Sequence, residues 1–279
     1  MKKNILSCLC ILFLAGFITP YKAYAGWPIG KYRDIVIPSM FLYHQTDRFD
    51  NNGKIVKGQT GTGFTSYSAN LYMGYGISRR LDLIASVPYV YVQNKFTNGT
   101  VTNSGPGDLY MGLSYNLVNF NYVRFLSIQV SGIAPLYRKF DPAADLGLGN
   151  FGAELKLMYC GNLPKAIASK GYFNTEIAYR RYFDIQGPDQ LSFGGTVGYP
   201  ISRHDQLSLE LLFFRSFSSN KAFNPNINNS RDYAFFKPSL NYGHQFSRRL
   251  STFIGGYYTP FGKNTGVGYG GSVLAIIKI

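Results

Sequence analysis

Only three glutamates occur in the 279 residues: Glu154, Glu176 and Glu210. Each falls mid-run on the polar phase of an alternating polar and apolar stretch. Asp82 and Asp108 share that phase, and so do the cations Lys156, Arg180 and Lys237. Desolvated charges need partners. Eight such side chains on one face could therefore brace a polar interior as a salt-bridge network. The alternative is a charged constriction that selects what passes it. Two further arginines, Arg181 and Arg215, fall on the opposite phase near one end of their runs. A cation placed there could pair with a lipid phosphate, including that of lipopolysaccharide. A strand bulge that shifts the phase is the competing explanation.

Catalytic chemistry is harder to assemble. A hydrolase facing lipid would need a hydroxyl nucleophile and an imidazole within hydrogen-bond reach. The histidines are His44, His204 and His244, and only His44 is expected near an outer strand end. It is followed by Gln45 and Thr46, with no serine two places on. No Cys/His/Asp group has metal-ligand spacing. Gly105-Pro106-Gly107 precedes a strand, not the helix that a phosphate loop requires. The reading is therefore no catalytic residue, no metal and no cofactor, with a lipid-modifying enzyme as the weakest alternative.

The elements that must carry these residues are strands. Period-2 alternation runs almost continuously, and no segment sustains a capped 3.6-residue period. Thr65, Tyr67, Ala69, Leu71, Met73, Tyr75 and Ile77 form one face of a run whose other face is Ser66, Ser68, Asn70, Tyr72, Gly74 and Gly76. Twelve strands are predicted, near 33–45, 64–77, 81–94, 107–117, 122–136, 151–161, 171–184, 190–201, 206–217, 232–246, 250–261 and 267–279. The connections alternate between long ones (46–63, 95–106, 137–150, 185–189, 218–231, 262–266) and short ones. Three short ones are nearly the same word: Ile77-Ser78-Arg79-Arg80, Ile201-Ser202-Arg203-His204 and Phe246-Ser247-Arg248-Arg249. The ten-residue connection 161–170 breaks the short-turn rule.

Residues 1–25 have the form of a secretory leader. Lys2 and Lys3 precede an apolar stretch, Ile5–Phe17, and Ala23-Tyr24-Ala25 is an A-x-A site before Gly26. The stretch is too short to span about 30 Å of hydrocarbon. Without Lys2, Lys3 and Lys22, 25 basic side chains face 14 acidic ones, a net +11. The basic residues are scattered through turns and loops, which argues against nucleic acid. Cys160 alone of the three cysteines lies beyond the leader, so no internal disulfide is expected. The 23 Tyr and 22 Phe fit a barrel with aromatic girdles at both lipid interfaces. Together these predict one domain over 26–279: an all-β, antiparallel, up-and-down transmembrane β-barrel of about twelve strands in the bacterial outer membrane. A soluble sandwich or lipocalin-like barrel is the alternative.

Two segments carry a family likeness. Leu81-Asp82-Leu83-Ile84-Ala85-Ser86-Val87-Pro88-Tyr89 is followed by Gly107-Asp108-Leu109-Tyr110-Met111-Gly112-Leu113-Ser114-Tyr115. This pattern resembles the outer-membrane barrels grouped as MetA-pathway-of-phenol-degradation or putative transporter proteins. Gly26-Trp27-Pro28 resembles the related XagA type. The resemblance is strongest over 70–140. It implies an outer-membrane channel with small apolar or aromatic solutes as cargo, and no catalytic residues. Such barrels often end in Phe or Trp for the barrel-assembly machinery, whereas this chain ends in Ile279. The functional expectation is a passive channel for small solutes. A closed barrel acting through the loops 46–63 and 218–231 is the alternative.

Overall fold

Ser78, Ser202 and Ser247 do the same work in three places. Each hydroxyl accepts two backbone N–H groups, from the second and third residues on: Arg80 and Leu81, His204 and Asp205, Arg249 and Leu250, all at 3.0–3.1 Å. Each serine amide also donates to the carbonyl three residues later. A short hydroxyl side chain that mimics the backbone is why serine opens such turns. The carbonyls of Arg80, His204 and Arg249 then accept the amides of Asn116, Gln245 and Lys278 from a neighbouring strand. One repeated turn thus closes its own hairpin and pins the next strand.

A computed structural model describes residues 27–138, 144–164, 171–185, 187–221 and 230–279; the predicted leader lies outside these. The strands are β1 (Asp34–Phe49), β2 (Ile55–Val56), β3 (Gly63–Gly76), β4 (Leu81–Phe96), β5 (Gly99–Pro106), β6 (Asp108–Phe120), β7 (Arg124–Pro135), β8 (Gly152–Asn162), β9 (Tyr172–Tyr182), β10 (Asp189–Pro200), β11 (Asp205–Phe217), β12 (Ala234–Gln245), β13 (Leu250–Tyr258), β14 (Phe261–Lys263) and β15 (Thr265–Lys278). Twelve of them form a closed antiparallel ring, with β1 paired to both β3 and β15. The short strands β2, β5 and β14 extend β1, β4 and β12 at the long-loop end.

Closure is what lipid demands, because each unpaired backbone group in hydrocarbon costs several kcal/mol. At the seam, β1 and β15 pair from Ile35↔Lys278 to Phe49↔Thr265. Asp34 and Ile279 exchange both backbone hydrogen bonds, at 3.0 and 3.3 Å. Inward-facing Gly266 and Gly268 on β15 leave room for Tyr43 and Gln45 to lie flat across the seam. A Cβ at either glycine would overlap those side chains.

The outward face carries an apolar band that includes Leu71, Met111, Leu155, Leu209, Leu240 and Val273. Exposed Tyr and Phe flank it at both ends: Tyr75, Tyr115, Tyr199 and Tyr242 toward the turns, Tyr67, Phe193, Phe213 and Tyr269 toward the loops. That is the profile of a barrel solvated by lipid.

Two connections differ from expectation. Residues 95–106 were predicted as a loop, but β4 and β5 form a hairpin there, because Lys95↔Thr100 pairing continues the ladder. The expected loop 262–266 shrinks to a turn at Asn264, whose φ is 49°. Pro260, which lacks an N–H, splits the predicted strand 250–261 into β13 and β14.

Candidate functional site

The inward face of β8 to β12 holds a chain of charges whose order follows from strand register. Glu154 stands directly opposite Arg180. The guanidinium donates Nε and Nη2 to the same oxygen, Oε2, at 2.9 and 2.6 Å. Lys156 lies two residues along the same face of β8. Its Nζ reaches Glu154 Oε1 at 3.8 Å and Glu176 Oε2 at 3.5 Å. Arg180 Nη1 also donates to Gln190 Oε1 at 3.3 Å, and Gln190 Nε2 donates to Ser216 Oγ and Tyr233 OH at 3.4 and 3.5 Å. Facing and diagonal neighbours on one sheet face are within reach of long side chains. Two acids and two bases make this run neutral.

Glu210 and Lys237 continue the inward face on β11 and β12. Lys237 Nζ sits 4.9 Å from the Tyr257 ring centre, and the Arg180 guanidinium sits 4.8 Å from that of Tyr110. Such placement draws a cation to the ring face. Beside them is an inward aromatic stack. Phe214 lies 5.5 Å from Tyr233 and 5.1 Å from Phe235, with ring planes within 17° and 10°. Val90 and Val92 face inward from β4, and Leu212 from β11.

Asp82 and Asp108 also face inward, but among the described residues neither makes an ion-pair contact with this network. Asp82 Oδ2 accepts the Ile29 amide at 3.1 Å, and the side chain is buried. Asp108 lies under the returning segment 144–150: a Cβ at Gly147 would come within 2.9 Å of its Oδ2. That segment is held from the other side by Asn103 Nδ2, which donates to the Ala144 carbonyl at 3.0 Å. Both aspartates thus hold main chain that has folded into the barrel.

The segment held by Asp82 was not legible from the sequence as a site. Residues 27–33 turn inside the short-turn end. The Tyr32 amide donates to the Gly76 carbonyl at 2.7 Å, and the Trp27 ring packs 4.7 Å from Phe125 on β7. Inward Gly74 and Gly76 make the room: a Cβ at Gly76 would overlap the Gly30 carbonyl, and one at Gly74 the Ile29 side chain. The glycines were visible in the polar phase of the strand, but nothing in their spacing named what lies on them.

Arg215 keeps the outward phase, yet its guanidinium is taken by buried Asp232, Nη2 to Oδ1 at 2.9 Å. Lys263 reaches the other carboxylate oxygen at 3.5 Å. Arg181 is outward and largely exposed, 3.6 Å from Asp189. His44 is outward too, its Nδ1 2.8 Å from Thr65 Oγ1 and its ring edge-on to Tyr269. His204 and His244 lie at the opposite end, where His244 Nδ1 is 2.7 Å from Asp205 Oδ1.

No protein-family model matches the sequence, and no curated protein matches it. The fold has solved counterparts. The COG4313 outer membrane channel from Pseudomonas putida F1 superposes with a TM-score of 0.71 at 15% identity, over 94% of this chain and 100% of that one. The β domain of the Bordetella autotransporter BrkA gives 0.56 at 11% identity, over 89% and 100%. The transport unit of the Escherichia coli autotransporter AIDA-I gives 0.51 at 9% identity, over 97% of each chain. A channel and two autotransporter domains share this architecture, so the likeness is one of fold. The activity must be argued from the lumen.

Proposed function

We propose that the protein is an outer-membrane channel that passes small solutes passively, those with an apolar or aromatic body above all. The observation that carries this is water-accessible charge on the inward face. Lys156 and Glu176 keep side-chain exposures of 21% and 30% although both point into the barrel. A barrel filled by its own side chains would bury them. The wall they line offers paired charges and the Phe214–Tyr233–Phe235 stack, which suits a flat solute with a polar edge.

In this reading residues 1–25 are the leader and the serine turns face the periplasm. The long loops are extracellular, and exposed Arg181 sits where an outer-leaflet lipopolysaccharide phosphate would lie. The fold-paired Arg215 is a weaker lipid ligand. The N-terminal strap at the periplasmic end and the segment 144–150 at the other set the width of the path.

The test is reconstitution of the mature protein in planar bilayers and in liposomes. Discrete conductance steps are expected, with faster liposome entry for phenol-type solutes than for sugars of similar size. A barrel that migrates as folded on a denaturing gel yet neither conducts nor admits solute would overturn the proposal.

A further inference from the structure

The extracellular end of β1 is interrupted by a bulge between Gln45 and Asp47. A bulge inserts one residue and re-aims the side chains beyond it. Here it turns Arg48 inward, where the residue is 5% exposed. Asp47 goes to the other side, and its Oδ1 accepts the Gly58 amide at 3.1 Å. Among the described residues Arg48 takes part in none of the ion pairs. Lys156, Arg180, Arg181, Arg215, Arg231 and Lys263 each have a carboxylate.

What Arg48 faces is a crevice lined by Gln45, Thr46, Thr62, Gly63, Phe64 and Asn94. Gln45, Phe64 and Asn94 form one inward row across β1, β3 and β4. Gln45 and Asn94 are each only 2% exposed. The Gln45 carbonyl oxygen accepts the Tyr43 hydroxyl at 2.5 Å, which leaves the NH2 end of that amide for the crevice. No carboxylate lines the space, and it admits one water-sized particle. A guanidinium removed from water without a counter-charge is unfavourable. The Arg48 guanidinium and the Gln45 amide line a space with positive charge and no acid.

We propose that Arg48 and Gln45, with Asn94 beside them, form a binding site for one small monovalent anion, chloride in ordinary media, at the extracellular mouth of the barrel. The narrow crevice favours a monatomic ion over the larger phosphate and sulfate. The ion completes the charge balance at the point where β1 leaves its regular ladder. The site needs no conducting pore, so it stands or falls apart from the channel proposal.

Bromide is the probe, since it replaces chloride and scatters anomalously. Crystals of the whole protein grown with bromide in place of chloride should show one anomalous peak in contact with the Arg48 guanidinium. Arg48→Gln should abolish that peak. Gln45→Glu keeps the shape of the side chain and supplies an internal carboxylate, so it too should expel the ion. Folding of each variant is read from its heat-dependent gel mobility. If Arg48→Gln does not fold, Gln45→Glu carries the test. In solution, chloride-35 line broadening by the wild type should be reversed by bromide and lost in the folded variants. No peak at Arg48 in saturating bromide would overturn the site. So would a peak that persists in the folded variants, which would mark an adventitious ion only.

Discussion

Arg180 gives two hydrogen bonds to a single oxygen of Glu154, across facing positions of β9 and β8 inside the barrel. The Glu154 side chain is 5% exposed and that of Arg180 23%. Removing one partner of such a pair leaves the other desolvated and costs roughly 3–5 kcal/mol, whereas removing both costs far less. Glu154→Gln should therefore lower the urea midpoint of barrel unfolding, and Glu154→Gln with Arg180→Gln should recover most of the loss. Additive losses in the double variant would show that the two residues do not act as a pair.

The strap has a built-in reporter. Trp27 is the single tryptophan of the chain and packs on Phe125. Gly76→Val would place side-chain atoms where the Gly30 carbonyl lies. The strap should leave the mouth, its tryptophan emission should shift to longer wavelength, and conductance should rise. Red-shifted emission with unchanged conductance would mean that the strap does not limit the path.

Each turn serine accepts two amides. Ser78→Ala, Ser202→Ala and Ser247→Ala should each cost about 1 kcal/mol, near the net value of one or two exposed hydrogen bonds. Ser→Thr at the same sites should be nearly neutral, because the acceptor oxygen is kept. Equal losses for Ala and Thr variants in equilibrium unfolding would point to backbone strain in place of the lost acceptor.

At the loop end, Asp184 accepts Arg231 Nη1 at 2.9 Å and Asn150 Nδ2 at 3.0 Å, tying three connections together. The Arg231 hydrogen bond, and then the Ile185 amide, hold its carboxyl below the ordinary carboxylate range. A depressed folded value means the stabilisation is complete above the unfolded pKa of about 3.9 and is lost as pH falls through the folded value. Protease cutting of the loops should therefore accelerate only below about pH 4. Asp184→Asn should cut fast at every pH, and a wild-type rate that is flat down to pH 2 would remove the clasp from the account.

Much of the fold was written in the order of residues. Alternation named the twelve staves because side chains of a strand point to opposite faces with period two, and it put Glu154, Arg180 and Glu176 on one phase. The serine turns were legible because their hydrogen bonds close within four residues. Residues 95–106 were misread as a loop because Asn, Gly and Lys describe a surface hairpin as well as a coil.

What the sequence determined by itself is therefore local: strand, phase, turn and the even count that brings both ends of the barrel wall together. What only the tertiary structure decided is which residues meet. Arg215 found Asp232, Asp82 found the Ile29 amide, and Arg48 was turned into a crevice by one extra residue in β1. The physical reason is that partners across a closed barrel are set by register, bulges and returning segments. These bring together residues as far apart in the chain as Leu42 and Tyr257, and no short-range pattern encodes them.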